Sequence, residues 1–295
     1  MKFGVTFPQT EIGPDPIAVR DFAQAAEGAG FDYLAAFDHI LGAHPDRFVG
    51  HDLGFPAPPY LYHNQFHEPF TLFAWLAGLT KRIELTTSVV ILPQRQTALV
   101  AKQAAEVDLL SGQRLRLGVG IGWNHTEYEA LNEDFHTRGA REEEQIAVLR
   151  KLWTEELVTF HGRFHTLDRV GINPRPQRVI PIWMGGGFAD RIVQRVARCA
   201  DGWMPMLMPG QDATEVIARL RSHLSQQGRD PASFGLQAIV RIERGNEADW
   251  VSQAEQLRAL GMTHLSMGGI LRDCPPMAAL DRAIAARKSI KAALD

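Results

Sequence analysis

The residues best equipped for chemistry sit where apolar runs end. Asp38-His39 follows the run Tyr33–Phe37. A histidine there can exchange a proton near neutrality or hydrogen-bond to a ligand carbonyl or hydroxyl; the alternative is a loop histidine without a chemical role. Gly118-Val119-Gly120-Ile121-Gly122 closes a later run. Alternate glycines let backbone approach a ligand closely, but the third comes too early for the dinucleotide-binding fingerprint. Gly185-Gly186-Gly187 precedes a helix expected from about Ala189. Bare amides ahead of a helix N-terminus make an anion site, with phosphate the usual occupant; the alternative is a flexible turn. Five histidines fall between His39 and His67, yet their spacing matches no ligand motif and no His-Glu-x-x-His, so no metal is expected. Thr86-Thr87-Ser88-Val89-Val90 reads by itself as a β-branched core strand, and Asp201 as a cap or brace.

These groups need elements to position them. Strand-like runs recur at Phe3–Phe7, Tyr33–Phe37, Ile83–Ile91, Leu115–Val119, Ile180–Met184, Gly202–Met206, Leu236–Arg241 and His264–Met267. Segments of helical period separate them. Ile146, Leu149 and Trp153 form one apolar stripe opposite Arg141–Glu144, a helix around Val100–Ala105 stops at Ser111-Gly112, and another runs from about Glu215 to Gln227. Strand alternating with helix predicts an α/β fold, and eight strands favour a closed (β/α)8 TIM barrel over an open doubly wound sheet. Two long segments interrupt the alternation. Residues 41–66 carry Gly, Pro, His and aromatic residues without period, and 154–179 contain a small hairpin turning at His161-Gly162. Such insertions, expected at the C-terminal face, serve as lids or binding loops.

The bulk numbers bound the reading. With 45% hydrophobic and 22% charged residues over 295 positions, the chain can bury one large core, and residues 1–295 read as a single domain. A net charge of −3 gives no basic field for nucleic acid or anionic membrane. No apolar run approaches a membrane span, and Met1–Pro8 reads as a first strand rather than a signal peptide. Cys199 and Cys274 lie far apart without a partner motif, as expected of reduced thiols in a cytoplasmic protein.

Taken in order, several stretches resemble the luciferase-like monooxygenase family, particularly its branch of coenzyme F420-dependent oxidoreductases. They are Phe37-Asp38-His39, Leu79–Val89, Ala101–Arg114, Leu117–Asn124, Arg138–Arg141, Leu152-Trp153-Thr154, Pro181–Gly186 and Asp201–Pro205. The last third matches only in general pattern. The resemblance implies a tricyclic cofactor at the barrel mouth, lying against a bulge in the third strand with a non-prolyl cis peptide at Ser88–Val89. It makes His39 the catalytic candidate, with Asp38, Ser88, Val89, Asn124, Tyr128 and the phosphate turn Gly185, Gly186 and Gly187 binding the cofactor. The two insertions match the lids that select substrate. Trp123 departs from the sugar-phosphate dehydrogenases, which carry a catalytic Glu there; an indole cannot transfer that proton. Phe7, Trp123 and Trp203 are then expected to line a pocket for an apolar or aromatic small molecule.

The reaction so implied is hydride transfer with coenzyme F420. The alternative is an FMN-dependent two-component monooxygenase fed by a separate reductase, and a third reading is a non-catalytic carrier or sensor. A homodimer is expected from the same resemblance.

Overall fold

The computed structural model describes residues 1–54, 56–208, 210–269 and 274–295. Eight parallel strand positions close into a barrel covered by helices, in the order β1 (Lys2–Thr6), α1 (Pro16–Gly28), β2 (Tyr33–Ala36), α2 (Pro69–Leu79), β3 (Glu84–Thr87), β4 (Val90–Ile91), α3 (Thr97–Ser111), β5 (Leu115–Gly120), α4 (His125–Ala130), α5 (Arg138–Thr154), the hairpin β6 (Val158–His161) and β7 (Thr166–Val170), β8 (Ile182–Gly186), α6 (Asp190–Cys199), β9 (Gly202–Pro205), α7 (Thr214–Gln226), β10 (Gly235–Arg241), α8 (Glu247–Ala259), β11 (His264–Gly268) and α9 (Pro276–Leu294). The strands neighbour one another as β3-β2-β1-β11-β10-β9-β8-β5, and pairing of Leu85 with Leu115 and Thr86 with Arg116 closes the ring. This is the (β/α)8 barrel that the alternation predicts. Strands buried on both faces read as near-continuous apolar runs, which is why they were visible.

The third strand is not continuous. The expected run Ile83–Ile91 divides into β3 and β4, with a cis Ser88–Val89 peptide between them. Pairing with β5 slips by one residue across the break, from Leu85 opposite Leu115 to Val90 opposite Val119. Val89 turns into the space left by two glycines. A Cβ on Gly120 would lie 2.5 Å from one Val89 methyl, and a Cβ on Gly185 2.9 Å from the other. These glycines therefore make room for the bulge. The fifth expected strand is also displaced, since β8 ends at Gly186 and holds two of the three glycines that were read as a turn.

The lower barrel interior is filled by a few large side chains set against glycines, as a tapering barrel requires. Arg116 lies between the rings of Tyr33 and Trp183, at 4.9 and 4.2 Å from their centroids. Its guanidinium meets Glu84 at 2.6 Å and Gln237 at 2.8 Å. Gly4 leaves room for Tyr33, while Gly202 and Gly235 leave room for Trp183. His264 joins this layer, and burial, with Arg116 nearby, pushes its pKa down to about 3.

Of the two insertions, 41–66 contains a single 3-10 turn at Pro45–Phe48 among its described residues. The β6–β7 hairpin turns over 162–165, closed by Gly162 N–H donating to His165 O, beyond the expected His161-Gly162. Glu144 anchors that turn through the Arg163 and Phe164 amides and His165 Nδ1. One expectation for α5 fails: Glu142, read as part of its polar side, is buried, and burial lifts its pKa to about 8. Among the described residues no helix is long and apolar enough to cross a membrane.

The Val89 packing predicts that Gly120→Ala destabilises the fold by ~1–3 kcal/mol in urea denaturation, as overpacking does. Gly28→Ala, where an added Cβ meets nothing within 4 Å, serves as the control and holds or slightly raises stability.

Candidate active site

Two buried carboxylates organise the barrel mouth. Asp38, just beyond β2, accepts from Ile91 N–H at 3.0 Å and from Arg95 Nε and Nη2 at 3.2 and 2.8 Å. Arg95 also reaches Glu68 Oε1 at 2.9 Å, and Glu68 caps α2 by accepting from Thr71 N–H. Burial works against the charge on Arg95, but the two carboxylates prevail and its pKa lies above the ordinary guanidinium value.

The second carboxylate, Glu127 on α4, is 1% exposed. Its Oε1 accepts from the Ile40 and Leu41 amides at 2.8 and 3.1 Å, and its Oε2 from Gln94 Nε2 at 3.3 Å. His39 Nδ1 lies 3.5 Å from Oε2. Burial alone would raise the Glu127 pKa, but the His39 and amide hydrogen bonds hold it below the usual carboxylate value. Glu127 is therefore ionised at neutral pH.

His39 stands between these acids, its side chain 15% exposed. The Tyr60 ring lies over it with centroids 3.9 Å apart, and Phe66 meets it edge-on at 5.1 Å. Trp123 packs on Tyr60 at 5.4 Å and on Phe48 at 5.7 Å. Asn124 Nδ2 donates to the Tyr60 hydroxyl at 2.8 Å. Burial, with the negative Glu127 beside it, drives the Tyr60 pKa well above the ordinary phenol value, so the hydroxyl keeps its proton. At the C-terminal end of the third strand, Ser88 and Val89 are half-buried while Thr87 and Val90 are buried, so the bulge offers a surface at the mouth. Ser88 Oγ lies 3.8 Å from Met204 Sδ. At the end of β8, Gly187 is open, with nothing within 4 Å of an added Cβ, and no side chain caps the start of α6.

This barrel has known relatives. The luciferase-like monooxygenase profile matches residues 1–287. The chain belongs to the luciferase-like monooxygenase family. It is 32% identical over 245 residues to a pyrimidine monooxygenase of Allorhizobium ampelinum, covering 80% of this chain and 61% of that one. It is 29% identical over 242 residues to an F420-dependent glucose-6-phosphate dehydrogenase of Kineococcus radiotolerans, covering 78% of this chain and 64% of that one. The chain thus spans under two thirds of each of these two relatives. An F420-dependent secondary alcohol dehydrogenase in complex with an F420–acetone adduct superposes with a TM-score of 0.80 at 17% identity, over 100% of this chain and 99% of that one; at that identity the likeness is one of fold.

Within this family fold, the expected site residues separate into two groups. His39, Asp38, Ser88, Val89 and Trp123 come together at the mouth, with Gly187 at the end of β8. Asp38 has its oxygens occupied by Ile91 and Arg95, so it braces the bulge. Asn124 caps α4, accepting from Thr126 N–H at 3.1 Å, and reaches the insertion through Tyr60. Tyr128 is buried, donates to Ile121 O at 2.6 Å and packs on Phe135 at 5.3 Å. Gly185 and Gly186 lie within β8, where a Cβ would strike Val89 and Ile192. Phe7 and Trp203 are fully buried. Strand alternation turns them outward, Phe7 onto Phe22 of α1 and Trp203 onto Phe188, so neither lines the mouth.

Sequence reasoning missed Glu127, Tyr60, Gln94 and Arg95. Asn124-His125-Thr126-Glu127 carries the spacing of a capping box, which would send the Glu127 carboxylate back to Asn124 N–H. It reaches instead across to Ile40 and Leu41.

Removing Arg95 would leave Asp38 buried without its cation. Arg95→Met should cost ~3–5 kcal/mol in urea denaturation, whereas Arg47→Met, which breaks the exposed pair with Glu129, should cost less than ~1 kcal/mol.

Proposed function

We propose that this chain is an oxidoreductase that uses coenzyme F420 and passes hydride between the deazaflavin and a small organic substrate at the barrel mouth. The observation that carries this reading is His39, a half-buried proton-transfer group held between a carboxylate and an aromatic wall beside the strand bulge. The likeness to an F420-dependent relative supports the choice of cofactor.

The residues fit such a group. Ser88, Val89 and Met204 offer a floor for a planar ring, and the open Gly187 position with the uncapped start of α6 suits a phosphate. When bound, the cofactor supplies the hydride chemistry. The protein supplies the rest. Tyr60, buried against His39, excludes water from it, the partly exposed Phe66 and Trp123 rings offer a surface to a flat substrate, and His39 exchanges the proton that accompanies hydride transfer. Trp123 brings no acid to the mouth, so the substrate proposed is uncharged and apolar or aromatic rather than a sugar phosphate.

A second reading is an FMN-dependent monooxygenase served by a separate reductase. The same aromatic wall favours it, as does the likeness to a pyrimidine monooxygenase.

Fluorescence titration with coenzyme F420 and FMN, oxidised and reduced, separates the readings. Binding of the deazaflavin alone supports hydride transfer; binding of reduced FMN alone supports oxygenation; binding of neither overturns both. Given turnover, His39→Ala should lower it by roughly 10²-fold or more with cofactor affinity little changed, and unchanged turnover would remove the role assigned to His39. Gly187→Asp adds a negative charge without a clash and should weaken cofactor binding about tenfold, ~1.4 kcal/mol. Equal affinity would place the phosphate elsewhere.

A further inference from the structure

We infer that Glu127 is the positioning residue for His39: it holds the imidazole as the Nδ1–H tautomer, so that Nε2 is the atom that takes and returns the proton. This rests on the proposed hydride-transfer reading only for its effect on turnover; the tautomer itself stands on geometry.

What Glu127 can accept decides which ring nitrogen bears the proton. Its carboxylate collects the Ile40 and Leu41 amides and Gln94 Nε2, all of them donors. A carboxylate in that setting is ionised and offers only lone pairs. The ring nitrogen facing it across 3.5 Å must then supply the hydrogen, which puts the proton on Nδ1. The remaining nitrogen, Nε2, carries the lone pair. The separation is at the long end for a hydrogen bond, as catalytic contacts often are before substrate tightens them.

Two further contacts leave the ring little freedom. Tyr60 lies over one face at 3.9 Å and 36° from parallel, and Phe66 closes on it edge-on. The amides that follow His39 in the chain are tied to the same carboxylate, so the backbone leaving His39 is fixed along with its side chain. Tyr60 is itself held by Asn124, the N-cap of the helix that carries Glu127. One short helix thus sets both the protonation pattern and the orientation of the base. In the proton step, for a substrate that carries a hydroxyl, the Nε2 lone pair forms an N–H bond as the O–H bond breaks and its electron pair stays on the substrate oxygen. The imidazolium so formed faces the Glu127 carboxylate, which stabilises it; return of the proton reverses the step.

The test is a two-bond 1H–15N correlation spectrum of histidine-labelled protein, with His39 assigned by the signals that vanish in His39→Ala. In the wild type, under conditions where the ring is neutral, we expect Nδ1 to carry the proton and Nε2 to show the shift of an unprotonated nitrogen. In Glu127→Gln the amide can face the ring as donor or acceptor, so both tautomers should appear. Turnover should then fall about tenfold or more with KM little changed. A wild-type Nε2–H tautomer overturns the inference whether or not the variant folds. So does a folded Glu127→Gln protein with an unchanged tautomer or undiminished turnover. Failure of the hydride-transfer reading is separately visible, as absence of deazaflavin binding while the wild-type spectrum still reports the tautomer.

Discussion

The Asp38 carboxylate is buried, and a buried charge must be met by donors or the fold does not hold it. Its donors come from two places that sequence leaves far from β2: Ile91 N–H just past the bulge, and the Arg95 guanidinium before α3. Arg95 in turn draws in Glu68 at the start of α2. One charge therefore ties the end of β2, the bulged strand and the far end of the first insertion into one unit. His39 is the next residue after that charge. Its backbone is held by Asp38 on one flank and by the Ile40 and Leu41 amides on Glu127 on the other, and its ring faces the same Glu127 carboxylate.

The bulge depends on a different constraint, the absence of side chains. Val89 occupies space that a Cβ on Gly120 or Gly185 would fill. The one-residue slip against β5 then brings Ser88 and Val89 to the half-exposed surface of the mouth. Glycines in β5 and β8 thus shape the site through packing, and within the Gly185–Gly187 run Gly187 stays open for a ligand to approach. The lower barrel works independently of this. The Arg116 layer fills the interior between Tyr33 and Trp183, so the mouth can carry irregular backbone on a closed base.

The barrel was legible because buried parallel strands and amphipathic helices leave strong, repeated patterns. Asp38-His39 stood out by its place after a strand-like run, with the loop-histidine reading left open, whereas the Ser88–Val89 peptide was legible only through resemblance. The Glu127 and Tyr60 contacts were not, because they cross between α4 and an insertion without periodicity, and the Asn124–Glu127 spacing imitates an ordinary helix cap. Phe7 and Trp203 were misplaced for a different reason. Each sits in or beside a barrel strand, where successive side chains alternate between the axis and the helices. Gly202 faces the axis beside Trp183, so Trp203 must face the helices. That alternation was present in the sequence, but its phase is set by which residues fill the interior, and only the structure supplies it.

The bulge, His39 and the open Gly187 turn lie at one barrel mouth, where the proposed cofactor would bind. A crystal structure of the protein with coenzyme F420 tests this most directly, with FMN as the parallel trial. The account predicts the ring in van der Waals contact with Ser88 and Val89, the phosphate at the Gly187 amide, and His39 Nε2 facing the space above the ring. A cofactor bound away from the bulge, or an imidazole presenting Nδ1 to that space, would contradict it.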